Sequence, residues 1–323
     1  MSRISRRTLT SGALALTGAL ALSACGSSDP DSDSAGSAPA KTRTVTTVMG
    51  DVKVPTNPKR VVVLDTGELD SAISLGVRPV GATHAATEDG FPSYLPADEV
   101  ADIKVVGEIA NPNMETVASL EPDLILTSKV RDGQRYEQLS AIAPTVMTES
   151  TGTAWKENFQ LHADVLNKKA EAEKVVAAYD AHVAKVTEAI GGKEKAAATE
   201  VNFVRFVEGA DIRIYGKQNY IGSLFADIGV GRPAITDKAK DGFSYDVSPE
   251  KIDLADADVI FTSTYGDPAK ARTTETMNSG LWKGLKATRN DRTITVDDRL
   301  WIAGIGYTAA AKILDEFQAD MTS

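Results

Sequence analysis

Short apolar runs alternate with amphipathic stretches along most of the chain after Pro55. Residues 60–64 have the β-branched density of a buried strand, and residues 69–75 follow with the pattern of a helix. The same order returns with a strand at residues 123–127 and a helix at residues 136–142. This alternation predicts an α/β fold in which a largely parallel sheet carries helices on its faces.

Residues 154–190 interrupt this rhythm, because they contain neither Gly nor Pro. Apolar residues recur there at helical spacing along one face, namely Val176, Tyr179, Val183, Val186 and Ile190. The pattern predicts one long helix over residues 154–191 that joins an N-terminal lobe, residues 56–153, to a C-terminal lobe, residues 192–323. Asn167 offers the alternative of a break into two helices.

The C-terminal lobe repeats the logic of the N-terminal one. Residues 120–128 (LEPDLILTS) parallel residues 254–263 (LADADVIFTS), and an acidic residue at a predicted helix start precedes each segment, Glu115 in one lobe and Glu250 in the other. We therefore expect two Rossmann-like lobes, each a parallel-rich sheet flanked by helices and both joined to the interlobe helix.

The N-terminal segment, residues 1–24, has the composition of an export signal. Three arginines precede the uncharged apolar run of residues 12–24, which is too short to span a bilayer. The run ends in Leu-Ser-Ala-Cys at Cys25, which looks like a bacterial lipobox whose cysteine is lipidated. Residues 25–55 are then predicted to be a lipidated flexible tether and lead-in. Two adjacent arginines leave both general and twin-arginine export open.

Charge and cysteine content exclude several functions. The 323 residues carry 35 Lys and Arg against 45 Asp and Glu, a formal net charge of −10, which argues against a nucleic-acid partner. One cysteine and three histidines do not suffice for a disulfide framework, a cysteine-ligated cluster or a histidine-built metal site. The sequence motifs of hydrolases, zinc peptidases and nucleotide-binding loops are absent. We therefore expect a binding protein, with a two-lobed α/β enzyme as the weaker alternative.

Arginines and aromatic residues lie at or beyond the ends of predicted strands, where open α/β sheets bind their ligands. The candidates for a binding site are Arg131, Arg205, Phe243, Tyr245, Arg299 and Trp301. Guanidinium groups and flat apolar rings suit an anionic or amphipathic ligand. Arg205 has the strongest basis, because an arginine within a buried strand needs a partner or a cleft. The alternative for Trp301 is that it is an ordinary core residue. The alternative for Arg131 is that it is a solvated charge in a loop.

Several motifs, taken in order, resemble those of the substrate-binding lipoproteins of iron–siderophore ABC importers, a family that also includes vitamin B12-binding proteins. They are NPKRVV at 57–62, LGVRPVG at 75–81, NMETV at 113–117, LEPDLI at 120–125, VNFVRF at 201–206, IRIYG at 212–216, IGSLF at 221–225 and WIAGIGY at 301–307. The resemblance covers nearly everything after Pro55. The segments around Arg205 and Trp301 look most like actinobacterial binders of the ferrioxamine type.

The resemblance implies a monomer anchored on the extracytoplasmic face of the cell membrane that captures a ferric siderophore for an ABC permease. A siderophore encloses its iron, so no metal ligand or covalent cofactor is expected, and the six candidates above would hold the organic shell. Glu115 and Glu250 match the acids that each lobe of the family offers to arginines of the permease.

Arg131 and Arg205 as the arginines of the pocket, with Ile109 where certain members carry a further arginine, favour a neutral or weakly charged hydroxamate complex over a highly charged one. An alternative within the same architecture is a haem or corrinoid binder with His84 or a tyrosine as axial ligand. Direct binding of a free metal ion would need clustered donors, and the histidines are too scattered along the chain.

Overall fold

The structure, a computed structural model, describes residues 41–86 and 90–323. The predicted signal segment and Cys25 lie outside the described residues. Within the described part of the chain, none of the helices combines the length and the apolar character needed to cross a membrane.

The described chain contains β-strands and α-helices in the alternation that its sequence predicts. The strands are β1 Thr42–Thr47, β2 Gly50–Pro55, β3 Val61–Val63, β4 Gly81–His84, β5 Lys104–Glu108, β6 Asn111–Pro112, β7 Leu124–Ser128, β8 Thr145–Thr148, β9 Val201–Val207, β10 Ile212–Tyr215, β11 Ser244–Val247, β12 Val259–Tyr265 and β13 Thr293–Thr295. The helices are α1 Thr66–Ser74, α2 Ala97–Val100, α3 Met114–Ser119, α4 Lys129–Asp132, α5 Tyr136–Ile142, α6 Trp155–Val165, α7 Lys169–Ala189, α8 Gly192–Ala198, α9 Tyr220–Ile228, α10 Thr273–Asn278, α11 Gly280–Gly284, α12 Lys286–Arg289, α13 Asp298–Trp301 and α14 Tyr307–Thr322.

Each lobe is built on its own sheet. The N-terminal lobe has six strands in the order β6-β5-β4-β3-β7-β8, all parallel except the edge pair of β5 and β6. The C-terminal lobe has five strands in the order β11-β10-β9-β12-β13, in which β9, β12 and β13 are parallel and β10 pairs antiparallel with both β9 and β11. The predicted α/β fold with two parallel-rich sheets is confirmed, whereas the lobe boundaries at residues 56, 153 and 192 stay a prediction.

The predicted continuous helix over residues 154–191 is wrong, because the structure has two helices there. Helix α6 ends at Val165 and α7 begins at Lys169. Between them Asn167 adopts a left-handed backbone with φ of 57°, and its side-chain amide donates to the Asn57 side chain at 2.7 Å. Asparagine tolerates this conformation better than most residues, so it breaks the helix without Gly or Pro.

The lead-in at the end of the predicted segment 25–55 forms an antiparallel hairpin of β1 and β2, which was not predicted from the sequence. Val45, Val52 and Val54 are buried, while their neighbours alternate towards solvent. The period of two in this segment is the signal of a half-buried strand pair. Arg43 of β1 forms an ion pair with Asp164 of α6 at 3.0 Å and so ties the hairpin to the helix.

One apolar core continues from the N-terminal lobe into the C-terminal lobe through the helices that join them. It includes Leu69 of α1, Phe159 of α6 and Phe317 of α14. Trp155, the first residue of α6, packs edge-on against Tyr220 and other rings, with ring centres 5.3 Å apart. The lobes therefore meet through a packed interior, and their relative position is fixed by close packing.

A buried carboxylate crosses this junction. Asp70 of α1 accepts hydrogen bonds from the backbone amides of Thr308 and Ala309, both at 3.0 Å, at the start of α14. The first amides of a helix have no partner within the helix, and a negative charge is favourable there. Burial nevertheless raises the pKa of Asp70 to about 6. An acid of the first lobe thus caps the last helix of the second.

Gly306 makes this close approach possible, and its substitution by alanine should destabilise the protein strongly. Its φ of 141° is unfavourable for any side chain, and a Cβ there would overlap the Asp70 carboxyl. We expect Gly306→Ala to lower the free energy of unfolding by about 3 kcal/mol or more, measured by urea denaturation. Gly209→Ala is the matched control, because its φ of 73° is also positive but its surroundings are open. That change should cost about 1 kcal/mol, and equal losses in both variants would contradict the overlap at Asp70.

Candidate ligand-binding cavity

A cavity of about 300 Å³ lies between the two lobes. Its lining comes from both lobes, including the loop before α14, and consists of Arg131, Thr151, Gly152, Thr153, Arg205, Tyr215, Asn219, Tyr220, Ile221, Phe243, Trp301, Ile302 and Ile305. This volume is at the lower end of the range for small-molecule sites. The mixture of two arginines with aromatic and aliphatic surfaces suits a ligand that has both oxygen acceptors and apolar parts.

Arg131 is the cationic residue that the N-terminal lobe contributes to the cavity. It belongs to α4, which follows β7 directly, and its Nε donates to Asp65 Oδ2 at 2.7 Å. Asp65 lies at the end of the neighbouring strand β3, where it caps α1 through the amide of Thr66. The arginine is therefore held from behind by a carboxylate that is only 1% exposed.

Arg205 is its counterpart in the C-terminal lobe. Its Nε and Nη2 donate to the two carboxylate oxygens of Asp298, at 2.7 and 2.5 Å, in a forked ion pair. The guanidinium carbon lies 4.8 Å from the ring centre of Tyr265. Burial alone would lower the pKa of Arg205, but Asp298 and Tyr215 outweigh that effect and raise it. The side chain is thus a fixed, permanently charged donor at the cavity wall.

Aromatic side chains provide the apolar part of the lining. Phe243 is 44% exposed and packs at a tilt against Tyr215, with ring centres 5.4 Å apart. Trp301 lines the cavity but is otherwise buried, stacked on Phe261 at 4.8 Å. Its indole nitrogen already donates to Glu316 at 2.6 Å. Trp301 is therefore both core and cavity wall, and it can offer a ligand only apolar surface.

Two of the predicted site residues do not line this cavity. Tyr245 lies on β11 opposite Ile214 and packs against the apolar cluster on the far side of the C-terminal sheet. Phe243 and Tyr245 are separated by the spacing of residues on one face of a strand. Phe243, however, precedes the strand and belongs to a loop. Arg299 is bound to Asp297, the residue that caps the short helix α13. His84, considered as an axial ligand, binds the carbonyl of Ala85 and is also absent from the lining.

The sequence analysis missed the polar loop at the start of α9. Asn219 caps that helix by accepting from the amide of Gly222 at 2.8 Å, and its amide donates to the Phe243 carbonyl at 2.9 Å. It thereby holds the loop that carries the exposed ring. An Asn directly before an apolar helical run is a capping signal, but its second bond, 24 residues away, leaves no local trace in the sequence.

Neither predicted docking acid lies in the cavity lining, and both are exposed. Glu115 is in the first turn of α3, and Glu250 is in the first turn of the 3₁₀ helix Pro249–Ala255. Hydrogen bonds from its own backbone amide and from Ser248 lower the pKa of Glu250. The two acids therefore occupy equivalent helix starts, one in each lobe.

The comparison with protein families agrees with this geometry. A model described as periplasmic binding protein matches residues 61–300. The chain belongs to this family of binding proteins. The family inferred from the motifs is thereby confirmed.

Relatives of this periplasmic binding protein include siderophore binders. It is 38% identical over 313 residues to the probable siderophore-binding lipoprotein YfiY of Bacillus subtilis, with 94% of each chain covered. It is 30% identical over 286 residues to the iron(3+)-hydroxamate-binding protein FhuD of the same organism, with 86% of each chain covered. The crystal structure of Staphylococcus aureus SirA with staphyloferrin B superposes with a TM-score of 0.78, at 34% identity, over 86% of this chain and 98% of that one.

A buried acid and a histidine lie behind the cavity of this binding protein. Glu68 and His162 are both 2% exposed, with Oε1 and Nε2 3.9 Å apart. Among the described residues, Glu68 Oε2 and both His162 nitrogens have no hydrogen-bond partner. Burial, and then the nearby charge of Asp65, raise the pKa of Glu68 to about 8, while burial lowers the pKa of His162 to about 4. Both groups are therefore neutral near pH 7.

No cluster of three or more histidine, cysteine or acidic side chains suited to a metal ion occurs in the described ranges. Each cavity arginine is instead bonded to a carboxylate, Arg131 to Asp65 and Arg205 to Asp298. The arrangement can therefore bind the oxygen atoms of an organic ligand.

The buried Glu68 predicts a pH-dependent stability that Glu68→Gln should remove. Its pKa rises from 4.5 in the unfolded chain to about 8 in the folded protein, so the stability gained from its bound proton is full at low pH. That contribution is lost as the pH rises through about 8. Relative to Glu68→Gln, wild-type protein should lose about 1 kcal/mol of unfolding free energy per pH unit as the pH rises from 4.5 to about 8. Urea denaturation measures it, with Glu137→Gln on exposed α5 as control. Parallel curves for all three proteins would contradict a buried, protonated Glu68.

Proposed function

We propose that the protein captures a ferric siderophore outside the cell membrane and delivers it to an ABC importer for iron uptake. The observation that carries this proposal is the cavity between the lobes, in which each lobe presents one fixed guanidinium group. Siderophores surround ferric iron with oxygen donors, so a protein meets their organic shell. Paired arginines and the exposed ring of Phe243 match such a shell.

The similarity to named relatives supports the same function. The relatives described as a siderophore-binding lipoprotein and as a hydroxamate-binding protein are similar along most of their length. SirA, which was crystallised with staphyloferrin B, has the same fold at 34% identity. Within this class we propose a hydroxamate complex of low charge, because both arginines that line the cavity already have carboxylate partners. We propose binding, and not catalysis, as the whole activity of the chain.

The haem or corrinoid alternative gains no support from this cavity. His84, the axial ligand that it would use, does not contribute to the lining. Its ring instead binds the carbonyl of the next residue at 2.8 Å. The two tyrosines in the lining, Tyr215 and Tyr220, are 3% exposed, and the hydroxyl of Tyr220 donates to the Gly306 carbonyl. The siderophore therefore remains the better match.

We further propose that Glu115 and Glu250 dock the two lobes onto the permease. Their exposure at equivalent helix starts leaves both carboxylates accessible to a partner. An exposed ion pair adds at most about 1 kcal/mol, so the two contacts would mainly orient the protein over the transport path. Lipidation at Cys25 would hold the monomer close to the membrane, which raises its effective concentration at the permease.

Ligand binding should depend on both arginines. Native mass spectrometry with a panel of ferric siderophores identifies a bound complex, and tryptophan fluorescence then gives its dissociation constant. Removal of a charged hydrogen-bond donor costs about 1.5–3 kcal/mol, so Arg131→Ala and Arg205→Ala should each weaken binding about tenfold to a hundredfold. Arg78→Ala, which removes an exposed arginine paired with Glu99, is the control and should bind normally. Failure of every siderophore to bind the wild-type protein would refute the proposed function.

Charge reversal at the docking acids should impair uptake without affecting capture. We expect Glu115→Arg and Glu250→Arg to reduce ⁵⁵Fe uptake by cells, most strongly when combined, because the like charges would repel permease arginines. The dissociation constant of the soluble variants for the ferric siderophore should match that of wild type. Glu137→Arg, an exposed reversal on α5, controls for net charge. Normal uptake by the double variant would remove both acids from the docking surface.

A further inference from the structure

The charged groups around the cavity form two matched pairs, one in each lobe. Within the described residues, Arg131 and Arg205 are the only charged side chains in the lining. Each is bonded to one buried carboxylate, Asp65 at 2.7 Å in the first lobe and Asp298 at 2.7 and 2.5 Å in the second. The cavity therefore presents two cationic donors to a ligand, each with a carboxylate directly behind it.

The two aspartates are fixed in place. Asp65 Oδ1 accepts from the amide and the hydroxyl of Thr66, and Asp298 Oδ1 accepts from the hydroxyl of Ser263 at 2.7 Å. Neither aspartate lines the cavity, so they act on a ligand through their arginines and through their charge. A ligand cannot displace these carboxylates without breaking several buried hydrogen bonds.

We propose that Asp65 and Asp298 determine which ferric complexes the cavity accepts, by neutralising its arginines and so selecting complexes of low net charge over polyanions. This inference rests on the proposed function and deepens it. Three hydroxamates balance the charge of ferric iron, whereas three catecholates leave a trianion. Low-charge complexes gain hydrogen bonds from the arginines at no electrostatic disadvantage. A polyanion would gain attraction from the arginines and lose it again to the carboxylates behind them.

The two pairs differ in one respect that sharpens the test. Behind Asp65 lies Glu68, whose pKa is raised by burial first and by the Asp65 charge second. When Asp65 becomes neutral, Glu68 loses that second influence and ionises more readily, which partly restores the negative charge. Arg205 has Asp298 as its carboxylate partner and Tyr215 as its other polar neighbour. Asp298→Asn therefore removes the negative charge that balances Arg205, without a second acid among the described residues that could ionise in its place.

The experiment measures the dissociation constants of a neutral trishydroxamate, ferrichrome, and of the trianionic ferri-bacillibactin by fluorescence titration at low ionic strength. For wild-type protein we expect tighter binding of ferrichrome. Asp298→Asn should shift the ratio of the two constants towards the trianion by about tenfold or more, since a unit charge then acts unopposed near the ligand. Asp65→Asn should shift it less, and Asp65→Asn combined with Glu68→Gln should reach the effect of Asp298→Asn.

Controls separate charge from structure. Asp298→Glu retains the charge and should leave the ratio near that of wild type, even if its affinity for both complexes falls. Asp315→Asn removes an equal charge from an exposed position on α14, where the side chain is 68% exposed, and should change nothing. Thermal melting shows whether each variant is folded, and a ratio measured in 0.5 M NaCl should shift less, because salt screens the charge effect.

The outcomes are distinct from those for the proposed function. If neither complex nor any other ferric siderophore binds wild-type protein, the proposed function itself fails. If wild-type protein binds the trianion more tightly, or if folded Asp298→Asn keeps the wild-type ratio, the siderophore function stands and the role of the aspartates is wrong. A shift in Asp298→Asn that Asp298→Glu does not show establishes the charge of Asp298 as the determinant.

Discussion

The hydrogen bonds from the start of α14 to Asp70 are the contact on which the geometry of the cavity depends. They join the first helix of one lobe to the last helix of the other, immediately after the loop that carries Trp301, Ile302 and Ile305 into the cavity wall. A second bond, from the Thr66 hydroxyl to the Ala303 carbonyl at 3.0 Å, fixes the same loop. Together with the apolar core that both lobes share, this junction holds the two arginines at a set distance.

Helix α1 and the residue that caps it supply three buried acids with different contacts. Asp65 at its start holds Arg131, Glu68 faces His162 behind the cavity, and Asp70 caps α14. Buried charges cost much of the free energy that their pairing returns, so such groups are weak evidence for stability. Asp65, which caps this nine-residue helix, and Asp70 within it are better explained by the need for fixed positions, because each binds a group that belongs to another element.

The sequence pattern was sufficient for features that arise locally. Alternation of strands and helices predicted two parallel-rich sheets, and an arginine within a buried strand predicted Arg205 at a cleft. The pattern did not predict side-chain positions that depend on contacts between residues far apart in the sequence. Tyr245 was predicted to lie in the site together with Phe243, but its ring packs against the apolar cluster on the far face of the sheet. The two ion pairs could not be predicted from local sequence spacing. Asp65 and Arg131 are 66 residues apart, and Arg205 and Asp298 are 93 residues apart. The hairpin over residues 42–55 was overlooked although its alternation was visible.

The ion pairs also explain how the two arginines found in the described part of the cavity lining can contribute strongly to ligand binding. A free arginine loses much rotational freedom when it binds, whereas Arg131 and Arg205 are already held by their aspartates. Within the described residues, Asp65 bonds Arg131 only through Nε, which leaves the Nη groups of that arginine for a ligand. Pre-organisation of this kind lets a few contacts contribute fully to affinity. Because one arginine comes from each lobe, those contacts act together only when the interlobe junction holds both walls in place.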